Sequence, residues 1–175
     1  MLGELSMSHQ EKGYEHFICF SPLGFHILAG QYLLAAKDFK TIDNSPVHYF
    51  LYCKSIELSL KGFLLAKNVP MNILRGKKGI GHDLEKALKE AESRGMLDIV
   101  EIPYLYREEL RKANYYYEKK QGFEYCDNYE VLRKWGNLPS LKVLCELASN
   151  LVERLEKVCF EAVNTLVEKY GEGKG

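Results

Sequence analysis

The chain has 175 residues and equal numbers of basic and acidic side chains, so its formal net charge is zero. That length suits one domain with a sizeable core. Neutrality excludes bulk attraction to nucleic acid or an anionic membrane, so any such binding has to come from a local patch.

No apolar run approaches the roughly 18 uninterrupted residues of a membrane-spanning helix. The opening stretch MLGELSMSHQEKGYEHF lacks the basic and apolar regions of a signal peptide, and a cytoplasmic protein is expected. Cys19, Cys53, Cys126, Cys145 and Cys159 form no CxxC pair and no Cys/His cluster with zinc-ligand spacing. They read as reduced, structural thiols. Nothing in the sequence calls for a metal or a cofactor.

Residues 1–20 mix charge, glycine and aromatics without a clear period and read as an N-terminal arm packing through Phe17 and Phe20. Ser21-Pro22 starts the first helix. Leu23, Ile27, Gly30 and Leu34 then mark one face as far as about Phe39. Thr41 to Ser45 is a turn.

Ser45-Pro46 opens the second helix, with serine placed to cap and proline at a position that needs no N–H. It is apolar nearly all round to about Asn68. Val47, Leu51, Leu58 and Leu65 share one arc, and Tyr49, Tyr52, Ile56, Leu60 and Phe63 the opposite one. Ser55, Ser59, Gly62 and Ala66 form a small-residue strip for close backbone approach. Such a helix belongs at the centre of a fold. Lys54, Glu57 and Lys61 nevertheless interrupt it at ion-pair spacing, with Glu57 four residues before Lys61.

Asn68-Val69-Pro70 ends that helix, and MNILR reads as a short turn before the basic, glycine-rich link of Arg75, Lys77, Lys78, Gly79 and Gly81. His82-Asp83 starts the third helix, with Asp83 as N-cap and Leu84, Ala87, Leu88 and Ala91 facing inward, up to Gly95. Pro103 begins a fourth, charged helix carrying Leu105, Leu110 and Tyr115 to Tyr117. Gln121 to Leu138, with the lone Trp135, has no sustained period. A long helix then runs from Pro139 to about Tyr170, with a heptad-like seam of Leu141, Cys145, Ala148, Val152, Leu155, Cys159, Ala162 and Leu166. Residues 172–175 read as a disordered tail.

Three groups carry chemistry. Lys54, Glu57 and Lys61 either line an anion-accepting pocket or knit the helices as an ion-pair network, since unpaired burial would cost several kcal/mol each. His82 is either a satisfied histidine at a helix start or a general acid/base, a role suited to an imidazole, with Asp83 orienting its surroundings. The basic link either holds N–H groups toward a phosphate or is an exposed loop; it has no Walker A pattern. Arg107, Arg111, Lys112, Lys119 and Lys120, interleaved with tyrosines, could stack on single-stranded nucleic acid. Glu108, Glu109 and Glu118 favour a solvated face there instead.

The run S-P-x-x-Y-x-L-x-x-x-S-I-E-L-x-L-K-x-x-L-L-A, followed by G-H-D-L and an alanine-rich helix, resembles the HEPN domain superfamily. The likeness spans residues 22–170 in architecture and is specific between Ser45 and Leu88. It implies an all-α antiparallel four-helix up-and-down bundle over residues 21–171, with extra short helices and a long C-terminal helix. It also implies a homodimer, and either a nucleotide or RNA ligand or a separately encoded nucleotidyltransferase or antitoxin partner, in toxin–antitoxin or defence systems. Ribonucleolytic members carry an Arg-x4–6-His motif and cleave RNA without metal. Arg75 and His82 match its spacing but lie in the glycine-rich link, whereas the usual pair sits in a later helix. Glu57, Lys61, His82 and Asp83 match the I-E-L-x-L-K and H-D-L signature of non-canonical members. The resemblance therefore implies a nucleotide-, RNA- or partner-binding regulatory module using Lys54, Glu57, Lys61, His82 and Asp83. The alternatives are a metal-independent ribonuclease using Arg75 and His82, and a purely structural dimerisation domain.

Overall fold

The computed structural model describes residues 20–40, 45–75, 79–118 and 137–171; of residues 166, 167, 169 and 170 only the helical backbone is described. Most of the N-terminal arm, the irregular stretch with Trp135, the tail, Cys19, Cys126, Lys77, Lys78, Lys119 and Lys120 lie outside these residues. The described elements are all helical: α1 (Pro22–Asp38), α2 (Pro46–Ala66), α3 (Met71–Arg75), α4 (Leu84–Ser93), a 3-10 turn (Met96–Asp98), α5 (Tyr104–Tyr117) and α6 (Leu141–Gly171). Among the described residues no helix is long and apolar enough to cross a membrane.

Helix α2 is the centre, packing against α1, α4, α5 and α6. Tyr49, Tyr52, Ile56, Leu60 and Phe63 are all buried on one arc, and Leu58 is buried on the other. The small-residue strip does what small residues allow. Ser55 donates its hydroxyl to the Ala29 carbonyl of α1 at 2.9 Å. At Gly62 an added Cβ would lie 3.1 Å from the Pro22 carbonyl oxygen, so α1 and α2 touch backbone to backbone there.

Helix α1 corrects the face expected for it. Ile27 and Leu34 are 45 % and 63 % exposed, and Phe25, Ala29, Leu33 and Ala36 point inward instead. No charged side chain occurs between Pro22 and Ala36, so nothing in the pattern marks the wet side. Close approach to α2 then selects the alanines over the larger aliphatics.

The ends have local causes. Ser21 caps α1 by accepting from the Gly24 N–H at 3.0 Å. Ser45 holds the cap position of α2, but its side chain makes no cap bond. Helix α2 stops at Ala66, two residues before the expected end, because Asn68 turns left-handed (φ 61°). Its N–H then donates to Leu65 and that of Val69 to Leu64, both at 2.9 Å, satisfying the last carbonyls. Met71–Arg75, expected as a turn, is one helical turn.

Helix α4 buries Leu84, Ala87, Leu88 and Ala91, as its spacing predicts. In α6, Ala148, Leu155 and Cys159 of the expected seam are buried, but Leu144, Leu147 and Leu151 share the inner face and shift it. Burial pushes the Cys159 thiol up to about 12, and Cys53 is raised by burial and then by the neighbouring Glu57 charge. These thiols are packing groups rather than nucleophiles.

Candidate functional site

Glu57 sits in the middle of α2 and is 2 % exposed. Helical spacing places Lys54 one turn before it and Lys61 one turn after. The Lys61 ammonium lies 2.5 Å from Oε1 and the Lys54 ammonium 3.1 Å from Oε2. His82 comes in from the loop before α4, its Nδ1 3.2 Å from Oε1 and 3.3 Å from Oε2. From the end of α5 the Tyr117 hydroxyl donates to Oε2. One carboxylate thus ties three parts of the chain together.

Burial pushes the Glu57 carboxyl up, yet the His82 hydrogen bond and the Lys61 and Lys54 charges outweigh it. Together they hold the group well below the usual carboxylate range. Glu57 is therefore an anion and can only accept, so Nδ1 of His82 carries a hydrogen in this contact. In the neutral ring that leaves Nε2 as an acceptor.

A cleft of about 360 Å³ opens over the cluster. Lys54, Glu57, Lys61, Arg75 and His82 form its charged side; Phe25 and Leu28 of α1, with Met71 and Leu74 of α3, form its apolar side. The Arg75 guanidinium lies 4.4 Å from the centroid of the Phe20 ring. Among the described residues no carboxylate pairs with it.

The loop residues 79–81 are tied back to α3 by the Ile80 N–H, which donates to the Ile73 carbonyl at 3.0 Å. Gly79 passes so close that an added Cβ would lie 2.0 Å from that same oxygen. Asp83 is occupied beyond the cleft. Its Oδ1 accepts from the Lys86 N–H at 3.0 Å and from Asn114 Nδ2 at 3.1 Å. Asn114 also accepts from the Leu84 N–H at 2.8 Å, so α5 pins the start of α4 and with it His82.

The structure thus brings Lys54, Glu57, Lys61, Arg75 and His82 to one cleft and leaves Asp83 outside its lining. Tyr117 and Asn114 are the residues that sequence reasoning missed. The basic scatter on α5 is neutralised where it is described: Arg107 pairs with Glu92, Arg111 with Glu108 at 3.0 Å, and Lys112 with Glu109 at 2.6 Å. Among the described residues no group of three or more His, Cys, Asp or Glu side chains is placed to hold a metal ion.

Among the described residues, fold and site define an all-helical arrangement with a carboxylate-centred cation cluster in a half-apolar cleft. No protein-family model matches the chain, and neither a curated protein nor a solved structure matches it.

Proposed function

We propose that the chain is a HEPN-like binding module, a helical bundle acting as a dimer, whose cleft takes the anionic group of a nucleotide, an RNA or a partner protein. The I-E-L-x-L-K and H-D-L segments supply Glu57, Lys61 and His82, and these side chains meet in one cluster. That convergence supports the family reading. Regulation within a toxin–antitoxin or defence pair, with a separately encoded nucleotidyltransferase or antitoxin as partner, is the biological setting that reading implies.

The observation that carries anion binding is Lys61. Its side chain is 7 % exposed, it lines the cleft, and it is paired with a carboxylate already shared among Lys54, His82 and Tyr117. An ammonium has three donors, so the pair with Glu57 leaves donors for an incoming anion. Arg75 adds a further cation to the same lining. Lys61→Met is expected to weaken binding of inorganic phosphate and of AMP about tenfold or more, the loss of a charge-assisted hydrogen bond. Isothermal titration at low salt checks it; equal affinities would reduce the cluster to an ion-pair network that holds the helices.

A second reading rests on Arg75 and His82 lining the same cleft. Arg75 would hold the scissile phosphate, and His82 Nε2 would take the proton from the ribose 2′-OH as its oxygen bonds to phosphorus. The P–O5′ bond breaks, leaving a 2′,3′-cyclic phosphate, and the departing 5′-oxygen takes a proton back from the imidazolium or from water. RNA incubated in EDTA is then cleaved by the wild type and spared by His82→Ala. No cleavage, or equal cleavage by both, removes this reading.

A further inference from the structure

The two sides of the cleft differ in chemistry, and the difference bears on what the bound anion is attached to. The charged side belongs to α2, Arg75 and His82; the other side is Phe25 and Leu28 from α1, Leu58 from α2, and Met71 and Leu74 from α3. No amide or hydroxyl side chain is among the described residues that line it. A nucleobase laid against that side would desolvate ring nitrogens and carbonyls with no side chain to answer them, at a cost in every polar group. An aliphatic body carries no such groups and gains from every CH2 buried. Leu28, which lines the cleft, is 37 % exposed, so its apolar surface is within reach of a ligand.

We propose that the preferred ligand is a small amphiphile: a terminal carboxylate or phosphate bonded directly to an unbranched apolar body. The anion sits between Lys61, Lys54 and Arg75, and the body lies along Leu28, Met71 and Phe25. Met71 suits the purpose, because an unbranched thioether adapts to chains of different length. The proposal rests on the anion-binding reading above but puts an aliphatic body, in place of a nucleoside, behind the anion.

The test is a calorimetric series with the full chain at one salt concentration: acetate, octanoate, inorganic phosphate, octyl phosphate, AMP and neutral octanol. Octanoate is expected to bind at least tenfold more tightly than acetate, and octyl phosphate at least tenfold more tightly than phosphate and than AMP. Leu28→Gln, at a partly exposed position that tolerates a polar side chain, is expected to narrow both octyl-to-short ratios. Lys61→Met weakens every anion. Equal affinity of short and long anions, or AMP ahead of octyl phosphate, overturns the amphiphile and leaves anion binding standing. Octanol binding as tightly as octanoate also overturns it, since the charge would then play no part. If no anion binds at all, the cleft reading itself falls.

Discussion

Replacing Glu57 with glutamine is expected to cost about 3–5 kcal/mol of folding stability, the usual penalty for leaving a buried charge without its partner. Lys61, 7 % exposed, bears most of it. Lys54, at 22 %, can turn its head to water. Glutamine keeps a carbonyl oxygen for Tyr117 and His82 but supplies no negative charge. Adding Lys61→Met to Glu57→Gln is therefore expected to recover most of the loss, because an apolar chain of similar length replaces the stranded ammonium. Urea unfolding of wild type, both single variants and the double variant closes the cycle, with the midpoint moving at constant m.

The same substitution has a pH signature whose sign follows from the depressed carboxyl. A group more acidic when folded than when unfolded contributes stability above the unfolded value of about 4.3. It loses that contribution as pH falls toward the folded value. Wild-type stability should accordingly decline as pH drops below about 4.3, whereas Glu57→Gln, lacking the titrating group, should show a flatter acid limb. Equal slopes for the two proteins would mean that the cluster does not hold Glu57 ionised.

The central helix and most of the cluster were legible because each rests on local rules. A proline start, an all-round apolar pattern and charges three and four residues apart specify α2 and the Lys54–Glu57–Lys61 strip without any tertiary knowledge. His82 was joined to them only through the family resemblance, because Asp83 as a cap fixes where the next helix starts and not what it packs against. Tyr117 could not. In a run of three consecutive tyrosines the side chains fan out by a large angle per residue, and only packing of α5 on α2 decides which one meets Glu57. Asn114 was hidden in the same way, since its value lies in reaching the start of another helix. The face of α1 failed for the opposite reason: a stretch without charges from Pro22 to Ala36 gives periodicity nothing to contrast, and close approach to α2 at Ser55 and Gly62 chose the face. Aliphatic size alone pointed to the wrong side.

Gly79→Ala is expected to damage the cleft more than any substitution of an exposed side chain. The new Cβ would meet the Ile73 carbonyl oxygen at 2.0 Å and the Ile73 carbonyl carbon at 3.0 Å, both backbone atoms that cannot swing aside. Relief requires the loop to open, which breaks the hydrogen bond from the Ile80 N–H to that carbonyl and pulls Ile80 out of the core, where it is now 7 % exposed. The stability cost should be about 1–3 kcal/mol, in line with other forced insertions. Binding should suffer further, since Arg75 and His82 stand on opposite sides of the opened loop and would no longer face one ligand. Gly30→Ala is the matched control: its Cβ would find only Val152 Cγ1 of α6 at 3.9 Å, an ordinary contact with a residue that does not line the cleft. Alanine there should leave anion binding unchanged and raise stability by about 0.5–1 kcal/mol, because it is the better residue inside a helix. Circular dichroism with urea, run beside phosphate titration of both variants, separates the outcomes. A Gly79→Ala protein that unfolds and binds like wild type would show that the loop does not set the geometry of the cleft.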